Sequence, residues 1–333
     1  MIEKIADYLK QKKLLNRLKL QDDFTVTFLA QGEYNQNFLI SDGQRKYVFR
    51  LNYGSQLQLT NQISYEYQAL EWLEKSQRTP KVYYVDDQRQ DFSQGLLIMA
   101  FLEGEPLDYR KDLLTAADIF SDIHQLAIDT TAEKYFVTEK ENILAARIEE
   151  CQVLLNPVFK SSVITERAKH LLATALEENK KNVHQQDFFD QQKLWSVNNT
   201  EVNSHNFIIG EKGYLIDWEK PVISHPVQDI SQFLASTTTL WRSNLKLTLT
   251  EKQEFLTRYL MRTSFDPAAF FKALQIYHPY LMLRALSWSA MAYDNYLTGD
   301  KALKNQEIFE KVSQYLEPEF LAKALREDVL KDE

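Results

Sequence analysis

The chain has 333 residues, 44% apolar and 26% charged. That balance is ordinary for a globular protein and excludes a disordered chain, a collagen and a disulfide scaffold. The formal charge of −8 opposes nucleic acid as a partner, because such binders carry a basic footprint. Residues 1–103 balance to zero, so the whole excess lies in 104–333. That asymmetry is compatible with a cationic ligand or simply with a solvated acidic surface. A single cysteine, Cys151, leaves no internal disulfide, and the six histidines show no zinc spacing. The Lys-rich start lacks the apolar core of a signal peptide, and no stretch approaches the ~20 apolar residues of a membrane span. The expectation is a cytoplasmic protein without a membrane span.

Taken in chain order, Ile2, Ile5, Tyr8, Leu9 and Leu15 predict a leading helix over 2–19. Phe24–Ala30 alternates, Asn37–Ile40 is short and apolar, and Gly43 precedes Lys46–Leu51. These three predict an antiparallel meander. Ile63–Lys75 has helical spacing, and Val82–Val85 and Leu96–Phe101 are strands. Gly104 and Pro106 then punctuate the chain. Beyond Pro106 helices are expected at Thr115–Leu126, Lys140–Leu155, Thr165–Lys180, Pro226–Thr237, Thr250–Arg262, Pro267–Tyr277, Pro279–Leu297, Leu303–Leu316 and Pro318–Leu330. One hairpin interrupts them, Asn206–Ile209 and Tyr214–Ile216 around a turn at Gly210–Gly213. The layout is α+β: a small antiparallel lobe over 1–103, a hinge near 99–106, and a large, mainly helical lobe over 104–333.

The polar residues flanking that hairpin carry the chemistry. Phosphoryl transfer needs a carboxylate to orient the acceptor hydroxyl and oxygen ligands that hold Mg²⁺ against the triphosphate. Kinases place the base carboxylate five residues before an amide ligand, with a second carboxylate beyond. Glu201 and Asn206 have that spacing, and Asp217 stands at the hairpin's far end. Asn and Asp oxygens suit a hard cation.

With Ile216-Asp217-Trp218-Glu219, and Pro226-Val227-Gln228-Asp229-Ile230 downstream, the chain resembles the aminoglycoside phosphotransferase and choline kinase superfamily. The resemblance runs from about Phe24 to Leu240 and implies a two-lobed, protein-kinase-like fold that uses ATP and Mg²⁺. It implies Asn206 and Asp217 as metal ligands and Glu201 in the catalytic position. Asp229 would brace the catalytic loop. The loop Gln31–Phe38, with Gly32 and Asn35, would cover the phosphates. Arg50 would contact phosphate with Glu66 as its partner, and Met99 to Gly104, with Met99 and Phe101, would meet adenine. His124 matches a histidine on a helix of the second lobe.

Two positions depart from the usual His-Gly-Asp motif: Asn199 replaces the histidine and Glu201 the aspartate. Glu keeps the charge but displaces it by roughly an ångström, a shift that can cost ~10²-fold. The expectation is an ATP- and Mg-dependent phosphotransferase acting on the hydroxyl of a small aminoglycoside-, amino alcohol- or sugar-like molecule. The alternative is a catalytically weak or inactive relative that binds nucleotide or a small ligand. Trp241, Tyr277, Tyr280, Trp288, Tyr293 and Tyr296 are candidates for an aromatic cage around a cationic acceptor, or for core.

Overall fold

The computed structural model describes residues 1–32, 34–55, 59–299 and 306–331. Glu33, in the expected phosphate loop, lies outside them, as does the start of the helix expected from Leu303. The chain forms two compact units. The first comprises 1–106, 128–137 and 206–221, and the second 107–127, 138–205 and 222–333. The division groups the hairpin and 128–137 with the N-terminal segment. The contacts responsible are short. Glu105 pairs with Ile209 and Pro106 with Ile208, Leu215 N donates to Arg78 O at 2.8 Å, and Trp72 Nε1 donates to Asp129 Oδ1 at 3.1 Å. The hairpin approaches so closely that a Cβ on Gly104 would stand 2.5 Å from Ile209 O, and one on Gly210 2.4 Å from Glu103 O.

The first unit is built on a five-stranded antiparallel sheet. Its strands are β1 (Thr25–Gln31), β2 (Asn35–Ser41), β3 (Lys46–Asn52), β4 (Val82–Asp86) and β5 (Gly95–Ala100), in the order β1-β2-β3-β5-β4. The first three form the expected meander. Alternation along β3 sends Tyr47, Phe49 and Leu51 into a core with Ile5, Leu9, Leu18 and Ile98. The leading segment supplies that cover as two helices, Ile2–Gln11 and Leu14–Leu18, broken at Lys13 in the left-handed region. Arg50 belongs to the other face of β3, which meets the helix Gln62–Leu73.

The second unit is mainly helical and includes the antiparallel pairing of Ser196–Asn198 with Val222–Ser224. Its centre is a 32-residue helix, Pro267–Thr298, packed on Ile143–Lys160, Val227–Leu234 and Gln306–Leu316. Two helices separated before Pro279 were expected, and one runs through it. An interior proline costs about 3 kcal/mol. Burial of Tyr277, His278 and Tyr280 to Leu283 outweighs this, and Asn179 Nδ2 donates to Pro279 O at 3.3 Å. Conversely, the helix expected over Pro226–Thr237 breaks at Ala235, which turns extended between Val227–Leu234 and Ser236–Arg242. The last expected helix is shorter, Pro318–Ala324. The helix Tyr109–His124 begins six residues earlier than its apolar pattern indicates, because the Asp108 carboxylate caps it by accepting from Arg110 N at 3.0 Å.

Candidate active site

In the first unit the hairpin Phe207–Ile209 and Gly213–Leu215 pairs Phe207 with Leu215. The ladder extends one bond further, with Ile216 N donating to Asn206 O at 2.7 Å. Asn206 and Asp217, eleven positions apart, are thereby brought to the same end of the hairpin. Asp217 has φ +63°, a left-handed conformation unusual for a non-glycine residue. The turn around it is pinned. Trp218 is fully buried with its Nε1 donating to Leu215 O at 2.9 Å. From the helix Gln62–Leu73, Gln62 Nε2 donates to Glu219 O and Tyr65 OH to Pro221 O.

Arg50 connects this turn to the sheet. Its Nε donates to Asn37 Oδ1 at 3.0 Å, and Nη1 donates to Glu66 Oε1 and, at 3.2 Å, to Asp217 Oδ1. Arg50 is 6% exposed and Glu66 1%. Burial opposes the guanidinium charge, but the Glu66, Asp217 and Glu219 carboxylates outweigh it and hold Arg50 above its ordinary value. Burial pushes Glu66 up to about 7 despite the pull of Arg50. Its Oε2 has no hydrogen-bond partner among the described residues. The sequence-expected Arg50–Glu66 pair is therefore formed, and Asp217 is its third member.

Other expected residues occupy different surroundings. The Asn35 side chain is buried and committed: Nδ2 donates to Glu219 Oε2 at 2.8 Å, and Oδ1 accepts from Asn52 Nδ2 at 2.9 Å. Exposed Gly32 donates its N–H to Asn35 O at 2.9 Å. Met99 is buried near the end of β5, and half-buried Phe101 donates its N–H to Lys46 O at 3.3 Å. Glu219 was not among the sequence-derived ligands. A carboxylate oxygen of Glu219 lies within 4.8 Å of one from Asp217, so the two can share a cation. The Asp-x-Glu spacing was the signal that could have found it.

In the second unit Asp229, fully buried at the start of Val227–Leu234, accepts from Asn199 N at 2.7 Å and Thr200 N at 2.8 Å. It braces the loop as the resemblance implied. Asn199 Oδ1 accepts from Glu201 N at 3.1 Å. Thr200, at the motif's glycine position, has φ +69°. His124 is packed: its ring nitrogens meet Tyr259 Oη at 2.9 Å and Asp229 Oδ2 at 3.4 Å. The six aromatic candidates do not form a common cage. Tyr277, Tyr280 and Tyr296 are buried in the core, and the Tyr280 hydroxyl donates to Asn179 O at 2.9 Å. Trp241 and Trp288 meet edge to face at 5.7 Å, and Tyr293 stacks on Phe309.

The model of the phosphotransferase enzyme family APH matches residues 25–269, and the chain belongs to that family. Solved structures of similar fold include a spectinomycin phosphotransferase in complex with ADP and spectinomycin, at 14% identity, TM-score 0.61 and coverage of 95% of this chain and 96% of that one. A choline kinase from Cryptosporidium parvum is 16% identical, with TM-score 0.61 and 95% of both chains covered. An ethanolamine kinase from Plasmodium vivax is 16% identical, with TM-score 0.60 and coverage of 89% and 81%. The fold is thus the α+β, protein-kinase-like one. Comparison with curated proteins finds no match.

Proposed function

We propose that this protein transfers the γ-phosphoryl group of ATP to the hydroxyl of a small molecule. The observation that carries the reading is the hairpin end, where Asn206 and Asp217 are drawn together and Asp217 is tied through Arg50 to buried Glu66. The amide and carboxylate oxygens there, joined by Glu219, form a hard donor set that fits Mg²⁺. Bound there, the cation would neutralise charge on the triphosphate oxygens. Arg50 supplies a fixed positive charge for phosphate, and Glu66 holds its orientation. Gly32 covers the phosphates, and Met99 and Phe101 face adenine. Glu201 accepts the hydrogen bond of the acceptor hydroxyl and takes its proton. The acceptor O–P bond forms as the bond from the γ-phosphorus to the bridging oxygen breaks, leaving ADP. Asn199 acts through Glu201, holding its backbone N–H.

A second reading, a weakly active or inactive nucleotide-binding relative, is favoured by one observation: the catalytic motif here is Asn199-Thr200-Glu201. Incubation with ATP, Mg²⁺ and a library of hydroxylated metabolites separates the two. ADP together with a phosphorylated product supports the kinase. Mg-ATP binding without turnover on any acceptor supports the second reading and sinks the first.

A further inference from the structure

A cleft of about 510 Å³ opens in the second unit beside the catalytic loop. His205, four residues beyond Glu201 in that loop, lines it together with Trp241, Arg242, Glu307, Glu310 and Lys311. One wall is the Trp241 indole, held edge-on by Trp288 and packed against Tyr315 at 6.2 Å. This is a rigid apolar face for a carbon skeleton.

The charges in the cleft are unequally placed. Glu307 and Glu310 are exposed and engaged: Glu307 lies 3.6 Å from Arg242 Nη1, and Glu310 accepts from Gln306 Nε2 at 2.8 Å. Lys311 is half-buried, and its only described partner is the neutral Gln314 amide oxygen, 3.3 Å away. A withdrawn ammonium without a carboxylate gains most from an anionic ligand. Burial accordingly holds Lys311 below its ordinary value, and burial with the nearby Arg242 charge does the same to His205. Arg242 at the rim is thus paired with Glu307, whereas Lys311 has no carboxylate among its described partners.

We infer that the cleft is the acceptor subsite and that the acceptor carries an anionic group, a carboxylate or a phosphate, bound by Lys311 with Arg242 at the rim. The inference rests on the phosphotransferase reading for the word acceptor, but anion preference is measurable without turnover. It replaces a cationic acceptor with one whose negative end is held in the cleft and whose hydroxyl is presented to Glu201.

The test is a matched pyranose series titrated against the full chain, read by isothermal titration calorimetry. D-glucuronate and D-glucose 6-phosphate are compared with neutral D-glucose and cationic D-glucosamine. The expected result is at least tenfold tighter binding of an anionic member. Its advantage should disappear in Lys311→Met, survive in Lys311→Arg and weaken less in Arg242→Gln. Glucuronate against glucose 6-phosphate distinguishes carboxylate from phosphate. Equal or tighter binding of glucose or glucosamine overturns the inference. So does a preference that persists in Lys311→Met, or no binding by either anion. Mg-ATP binding, measured separately, distinguishes the failures: its absence removes the kinase reading and leaves the anion preference standing or falling alone.

Discussion

Removing Arg50 tests the core of the first unit. Glu66 is 1% exposed; one oxygen is bonded to Arg50 and the other has no partner among the described residues. In Arg50→Ala both oxygens lose compensation inside the fold. Breaking a buried pair from one side costs about 3–5 kcal/mol, which lowers the midpoint of thermal unfolding by roughly 5–10 °C. The deficit should depend on pH with a definite sign. Burial already raises Glu66 from 4.5 to about 7, and without Arg50 nothing offsets that push. A carboxyl raised in the folded state binds protons more tightly there than in the unfolded chain. Stability is therefore lost as pH rises from 4.5 through the folded pKa. The deficit relative to wild type should be largest near pH 8 and clearly smaller near pH 5. The double variant Arg50→Met/Glu66→Met should recover much of the stability, because an apolar pair replaces two desolvated charges, yet it should not turn over ATP. Calorimetry at both pH values checks this. A deficit equal at pH 5 and pH 8, or an Arg50→Ala protein as stable as wild type at pH 8, would refute the reasoning.

Further outcomes are expected. Asp217→Ala should abolish Mg-ATP-dependent ADP formation, while Glu201→Gln should lower kcat by roughly 10²-fold or more with little change in nucleotide affinity; full activity of Glu201→Gln would remove Glu201 from its role. Asp229→Ala removes the acceptor of one buried and one part-buried backbone N–H and should cost about 1–3 kcal/mol, with Asp229→Asn milder in the same denaturation assay. Thr200→Gly relieves a left-handed β-branched residue and should be neutral or stabilising by up to about 1 kcal/mol, whereas Thr200→Val should not stabilise. Cys151 is 1% exposed with its thiol pushed up to about 12, so the native chain should resist a disulfide exchange reagent at pH 8 and react after denaturation.

Strands, helices and the paired motifs were legible where local chemistry is decisive. The period of two in Phe24–Ala30 and the apolar Lys46–Leu51 gave the meander, and Asp217 at the end of a hairpin gave half of the candidate site. What was illegible depends on contacts distant in sequence. Pro279 signals a helix start locally, and only the buried surface of Tyr277 to Leu283 carries the helix through it. Ser196–Asn198 and Val222–Ser224 are too short to show alternation and exist because they pair with each other. Asn35 falls in a segment whose sequence suggests a phosphate loop, but it opens β2 and its amide donates to Glu219, 184 positions away. The cleft at Lys311 leaves no local trace, because its walls come from 205, 240–244 and 307–314.

The segment Asn199-Thr200-Glu201 is more coherent in the structure than residue by residue. The usual glycine permits a left-handed turn before the carboxylate, and here Thr200 makes that turn at φ +69°. Two bonds to a fully buried carboxylate hold it there, because Asp229 accepts from the N–H of both Asn199 and Thr200. Asn199 then holds the Glu201 N–H with its own side chain. The loop keeps its backbone course without glycine, and the extra methylene of Glu201 lies beyond a fixed Cα. In the proposed reaction a carboxylate carried further from the same anchor would leave less room for a bulky acceptor. Glu201→Asp should therefore retain turnover and shift preference towards larger acceptors. Loss of all activity in Glu201→Asp would instead show that the loop is tuned to the longer side chain.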